Sequence, residues 1–182
     1  MTLGTRSLLW GVHQFAWHPV TVALAWRKLQ GRWPRGCEWL CILVHDWGYW
    51  GRRNMDGTHG RFHPVGGARL AQALVRWWHR VVIGRGVLES ELRALRAYRL
   101  CLFHSRHLAK ACGDEPSALC MPDKLAVMYD PRWFYLLRAY LSGEIHEYVK
   151  NAEAVGFRGS AWAWLNWYRR KVEKLIATSR PS

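Results

Sequence analysis

Acidic side chains are scarce in this 182-residue chain. Thirteen Asp and Glu stand against 27 Lys and Arg, a net charge of +14. That excludes an acidic solvating chain and makes an acidic partner more natural than a basic one. It does not choose among nucleic acid, nucleotide and anionic lipid. Paired cysteines are lacking too. Cys37, Cys41, Cys101, Cys112 and Cys120 are odd in number and contain no Cys-x-x-Cys pair. We therefore expect reduced, mostly buried thiols and no disulfide framework. No window of about 18 uncharged apolar residues occurs, so no transmembrane helix and no integral membrane association are expected. The apolar stretch from Leu8 to Trp17 is interrupted by His13 and Gln14 and lacks a small-residue cleavage site. A secretory leader is not expected from it, and the chain reads as soluble and cytoplasmic. Also missing are a phosphate-binding glycine loop, a nucleophile elbow and zinc-finger spacing.

What is present is apolar, aromatic and helical in spacing. Half of the residues are hydrophobic and 13 are tryptophan, which rules out global disorder. The length fits a single domain spanning 1–182, with a core able to bury roughly two thirds of the unfolded chain's surface. One helix is expected from Pro19 to Gly31. A second, apolar nearly all round, is expected from after Pro34 to His45-Asp46. Residues 47–62 carry four glycines and no clean period, and read as a loop. Further helices are expected over 64–78, 89–110, 117–128, 131–141, 144–154 and 160–177, with a turn over 79–86. No strand of alternating period is present, so the fold class is all-α.

Histidines recur in particular contexts along this pattern. His18 opens a helix in WHPVTVALAW, and His45-Asp46 closes the apolar helix in CILVHDWGY. His63 opens HPVGGARLA, His104 lies in CLFHSRHLAK and Asp123 lies in MPDKLAVMYDP. A carboxylate at the end of an apolar helix is costly unless it is paired or binds a cation. Asp46 is such a carboxylate, and imidazoles are natural co-ligands. A lone His-Asp pair is more often structural. The ordered series of His, His-Asp, His-x-x-x-Gly-Ala, His-Ser and Asp-Lys-Leu-Ala carries more weight.

This series resembles the HD-domain superfamily of metal-dependent phosphohydrolases over about residues 18–131, leaving 132–182 as unmatched C-terminal helices. The resemblance implies a single-domain helical bundle with its site between helices. It implies metal ligands at His18, His45, Asp46 and Asp123. His63 and His104 match the two extra ligands of the dinuclear branch, with Asp46 bridging. The spacing is similar to that of bacterial symmetrical diadenosine tetraphosphate hydrolases. One or two divalent transition metals are implied, with iron, manganese, cobalt, nickel and zinc all suited to such ligands. The implied reaction is attack of a metal-bound hydroxide on phosphorus in a nucleotide or dinucleotide phosphoester or phosphoanhydride. Asp46 would then be catalytic as well as a ligand.

The chain departs from the family where many members read Ile-Gly-Lys after His-Asp. Trp47, Gly48 and Tyr49 stand there instead, without a lysine. Arg52, Arg53 and Arg61 are the loop cations expected to grip phosphate in its place. Trp47, Tyr49 and Trp50 offer rings for a base, although packing over the core is their plainer role. His59 and His107 read as surface or capping residues, with a proton-donor role as the alternative. The expected partner is a small phosphorylated substrate, most naturally a nucleotide. A related branch of the superfamily uses the same ligands for di-iron oxygenation. Basic clusters at Arg27, Lys28, Arg32 and Arg35 and at Arg169, Arg170 and Lys171 keep open a nucleic-acid-binding or assembly protein with a structural metal site. Arg93, Arg96 and Arg99 form a stripe facing either solvent or the site mouth. Part of Trp162, Trp164 and Trp167 reads as exposed, which would suit a homo-oligomer contact. Charge and tryptophan content alone motivate a membrane-surface role.

Overall fold

The structure is a computed structural model describing residues 1–178. Those residues form an all-α bundle without a strand among them. Helix α1 (Leu3–Trp10) precedes α2 (His18–Gln30). Pro19 sits in the first turn of α2, where its missing N–H costs nothing, and Gly31 ends the helix at φ 67°. Helix α3 spans Cys37–Val44, so His45 caps its C-terminus and Asp46 already lies outside it. An apolar pattern nearly all round suits a central core helix, but α3 is buried on one side only. Cys41, Ile42 and Val44 are buried, whereas Trp39 and Leu43 are exposed.

Residues 47–62 hold only two short 3-10 turns, Trp47–Tyr49 and Gly60–Phe62. Helix α4 (His63–Trp77) follows and runs directly into a π-helical turn at Trp78–Val82. Helix α5 spans Val87–Leu102 and α6 spans Arg106–Ala111. The sequence predicts one helix here, and the chain instead breaks between Phe103 and Ser105. No glycine or proline marks the break. It is held by tertiary bonds. The Ser117 hydroxyl donates to the Leu100 carbonyl (2.7 Å), and the Ser117 N–H donates to that of Phe103 (2.9 Å). Ser105 then caps α6 by accepting from the Leu108 N–H.

Helix α7 (Cys120–Leu125) ends in a 3-10 turn at Ala126–Met128. Helices α8 (Arg132–Ser142) and α9 (Glu144–Glu153) meet at Gly143, and α10 covers Ala161–Thr178. Small residues let α3, α4 and α5 approach closely around Cys41, Ala68, Ala71, Ala94, Ala97 and Cys101. A second core joins α2 to α3 and α7 through Val22, Trp26, Ile42 and Leu119. A third joins α8, α9 and α10 through Leu136, Ile145, Trp164 and Leu165.

One buried carboxylate fastens the N-terminal segment to this third core. Glu144 is fully buried and accepts from the Ser7 hydroxyl (2.7 Å), the Val12 N–H (2.8 Å), the Ser142 hydroxyl (2.5 Å) and the Tyr148 hydroxyl (2.9 Å). His13 Nδ1 lies 3.0 Å away. Such a carboxylate is tolerable only because its lone pairs are filled. A second buried pair joins Arg138 to Asp130, and Arg138 also donates to the carbonyls of Gly11 and Val12. Arg169, from a cluster that reads as a basic face, is buried. It donates to the carbonyls of Val127 and Asp130 and so satisfies the chain just after α7. Arg170 and Lys171 of the same cluster are exposed.

Candidate metal centre

Five elements bring their ends to one place. His18 comes from the first turn of α2, His45 and Asp46 from the end of α3, and His63 from the first turn of α4. His104 lies just past α5, and Asp123 lies on α7. The helix break after Leu102 therefore has a consequence for the site, because it turns His104 inward.

Two glycines make this convergence possible. A Cβ on Gly67 would sit 1.9 Å from the His45 carbonyl oxygen, and one on Gly48 would sit 1.8 Å from that of His63. Only glycine lets the α4 backbone lie directly against the His45–Gly48 segment. This is the physical reason for Gly67 in the His-x-x-x-Gly-Ala pattern.

The donor atoms form two groups sharing Asp46. His18, His45, Asp46 and Asp123 make one, and Asp46, His63 and His104 make the other, with ligand atoms within 4.8 Å in each. Asp46 Oδ2 lies 3.2 Å from His18 Nε2 and 3.2 Å from His45 Nε2. Asp46 Oδ1 faces the other way, 3.4 Å from His63 Nε2 and 3.8 Å from His104 Nε2. Asp123 Oδ1 closes the first group at 3.3 Å from His18 Nε2 and 3.5 Å from His45 Nε2.

Hydrogen bonding fixes the tautomers of three of the rings. His45 Nδ1 lies 2.9 Å from the Ile42 carbonyl and His63 Nδ1 lies 2.9 Å from that of Gly60. His104 Nδ1 is bonded in the same way to the Cys101 carbonyl. A carbonyl only accepts, so each Nδ1 carries a proton, and each ring in its neutral form turns an Nε2 lone pair inward. Two such lone pairs, on His63 and His104, face each other at 3.1 Å. His45 Nε2 and Asp46 Oδ2 are buried without a hydrogen-bond partner. Lone pairs converging on lone pairs, beside a carboxylate oxygen with no donor, are repulsive unless a cation stands among them. The residues present therefore fit a metal, and the buried His/Asp cluster can hold one. Nitrogen and oxygen donors suit several transition ions, so the set does not single one out.

The rings and carboxylates also shift one another's titration, and a metal at the cluster would compete with the proton this favours on His45. Burial pushes His104 down, His45 and His63 push it further, and it titrates at about 3, so its ring stays neutral. Burial would raise Asp46 and Asp123. The surrounding imidazoles overcome this and hold both well below the usual carboxylate range. Burial would lower His45, but Asp46 and Asp123 hold it well above its ordinary value. Sequence reasoning passed over His13. Its ring lies 5.3 Å from that of His18 and 5.0 Å from that of Tyr49, and Glu144 orients it from behind. Burial would lower it, but Asp46 and Glu144 raise it to about 9. Neither His13 nor Glu144 sits in a local pattern that reads as a site, and only the tertiary contact reveals them.

A cavity of about 640 Å³ opens beside the cluster. His18, His63, His104 and Asp123 line it, as do Arg61, Arg106, Lys124 and Lys171. Of the loop arginines, Arg61 reaches this wall. Arg52 does not line it and bonds the Gly48 carbonyl instead, and Arg53, an exposed loop residue, does not line it either. Lys124 places its ammonium 4.0 Å from Asp123, so a lysine stands beside the cluster although none follows His45-Asp46. Tyr49 stacks on the His63 imidazole at 3.8 Å between ring centroids and so is packed against a site residue. Trp47 and Trp50 point to solvent. Tyr49 lines the cavity, and the other Tyr and Trp rings that line it belong to the C-terminal helices. They include Tyr148, Trp164, Trp167 and Tyr168, with Lys171 Nζ 3.9 Å over the Trp167 ring. His107 lines the mouth and His59 does not. In comparisons with known proteins, no family model, no curated protein and no solved structure matches this chain.

Proposed function

We propose that the chain is a metal-dependent phosphohydrolase of HD-domain type acting on a nucleotide or dinucleotide. The observation that carries this reading is the division of Asp46, one oxygen toward each of two histidine groups. A bridging carboxylate with open space beside it is the arrangement expected of a dinuclear hydrolytic centre. Cations bound there would supply Lewis acidity to a phosphoryl oxygen and lower the pKa of water.

The chain's own residues bind and orient. Lys124 is the ammonium nearest the cluster, and Arg61, Arg106 and Lys171 ring the same cavity. Four cations around one cavity favour a substrate with several phosphate charges. Trp167 and Tyr168 offer aromatic faces to a base, which any nucleobase would accept. The cavity volume suits a ligand of that size. These cations also favour hydrolysis of an anion over the oxygenase reading, whose ligand set is the same.

The test is turnover of a panel of deoxynucleotides, cyclic dinucleotides and dinucleoside polyphosphates with each candidate divalent metal, with dioxygen uptake followed in parallel. Metal-dependent release of a phosphorylated product without dioxygen uptake is expected. Turnover that requires dioxygen, or a metal-loaded protein that hydrolyses nothing on the panel, contradicts the proposal.

A further inference from the structure

Away from the metal cluster, α3, the end of α4, the π-helical turn and the start of α5 build a second surface. An open groove of about 1000 Å³ is lined there by Trp39, Leu43, Trp77, Trp78 and Ile83. All five are exposed. Further exposed apolar side chains lie along the turn that connects Trp78 to α5. Val81 and Val82 follow, then Val87 and Leu88, with Leu88 74% and Val81 67% exposed. The sequence here reads RWWHRVVIGRGVL, with arginines at positions 76, 80 and 85 set among the apolar residues.

The charge on this face is one-sided. Arg32, Arg35, Arg93 and Arg96 line the groove, with Glu38 as the lining acid. Glu38 is held by Arg32, Glu89 by Arg85 and Arg93, and Glu91 by Arg76. Arg35, Arg80 and Arg96 form no salt bridge among the described residues. This part of the chain thus combines exposed aliphatic residues, exposed tryptophan rings and guanidinium groups without a salt bridge.

We propose that this face docks on an anionic lipid surface. Val81, Val82, Val87 and Leu88 would enter the acyl boundary, Trp77 and Trp78 would sit at headgroup depth, and Arg35, Arg80 and Arg96 would meet the lipid phosphates. Tryptophan favours the membrane–water boundary, and short apolar segments with basic flanks bind there without crossing. No helix among the described residues is long and apolar enough to span a bilayer, so the contact is peripheral. Charge complementarity selects a negatively charged partner. Within that choice, the exposed aliphatic residues of the turn favour lipid over nucleic acid, which offers nothing for Val81 or Leu88 to bury against. A peptide helix lying in the groove would cover Trp39 and Leu43 but leave these residues in water.

Flotation of the full chain with vesicles tests the inference, using phosphatidylcholine alone and phosphatidylcholine mixed with phosphatidylglycerol. Binding to the anionic vesicles should exceed binding to the neutral ones by about tenfold or more and fall with added salt. Val81→Ser combined with Leu88→Ser should cut it about tenfold. Arg80→Glu combined with Arg96→Glu should remove the preference for phosphatidylglycerol. These side chains are exposed and lie away from the metal cluster, so thermal unfolding and metal content should not change in either variant. Failure of both vesicle types to bind the protein overturns the inference, as does binding that neither double variant weakens. A dimer in sedimentation that the Val81 and Leu88 substitutions dissolve would also overturn it, because a second copy would then cover the face.

Discussion

At the scale of single residues, two buried carboxylates that burial would ordinarily neutralise hold opposite roles. Asp46 is surrounded by imidazole lone pairs and lacks a hydrogen-bond donor at Oδ2. Glu144 is the opposite case, a buried carboxylate with its lone pairs filled by protein donors. Replacing Glu144 with Ala should cost about 3–5 kcal/mol, because Ser7, Ser142 and the Val12 N–H lose their acceptor. Chemical denaturation measures this loss. Burial would raise the Glu144 pKa, but His13 and the hydroxyl donors lower it below 4.5. Its contribution is therefore full above the unfolded value and is lost as pH falls through the lower, folded value. Stability followed below pH 4.5 should decline, and Glu144→Gln should flatten that decline. Lys124 is the cation beside the cluster, and Lys124→Met should raise KM for a phosphorylated substrate about tenfold or more, as expected for losing one charge-assisted contact. An unchanged KM would remove Lys124 from the phosphate site.

At the scale of elements, the close approach of α4 to the His45–Gly48 segment sets the spacing of the two histidine groups. Gly67→Ala would drive a methyl group into the His45 carbonyl. The backbones must then separate, at a cost of about 1–3 kcal/mol. We expect lower metal occupancy together with a lower Tm. A variant that binds metal like the parent would show that this contact does not position the site.

The elements also show why some of the molecule was legible in the sequence and some was not. Helices α2, α4, α8, α9 and α10 carry local signals, such as Pro19, Gly31, Pro64 and Gly143. The six His and Asp residues that the motif order singles out do converge on one point, because their spacing places them at helix ends that meet. The break after Leu102 was hidden because the apolar period continues through Phe103 and the interrupting bonds come from Ser117, fourteen residues later. Helix α1 was hidden for a similar reason. Its N-terminal residues lack a strong cap, and the segment is secured by Glu144, far along the chain. Arg169 read as surface charge because nothing near it in sequence shows that its partners are carbonyls at the end of α7.

At the scale of the whole molecule, the C-terminal helices supply most of the cavity's aromatic wall beside the cluster. The tryptophan excess thereby acquires locations. Trp164 and Trp167 line the cavity, Trp26 fills the core between α2 and α3, and Trp39, Trp77 and Trp78 form the open face. The positive charge also divides, with Arg61, Arg106, Lys124 and Lys171 at the cavity and Arg35, Arg80 and Arg96 on the apolar face.

The proposal that most needs testing is that the buried cluster holds two metal ions bridged by Asp46. Elemental analysis of purified protein, after incubation with each candidate metal and removal of free ions, tests it most directly. About two transition metal ions per chain are expected, as a bridging carboxylate requires, with loss of most of that metal in Asp46→Ala and the helical content retained. A metal-free parent protein, or an Asp46→Ala variant that keeps its full metal content, would contradict it.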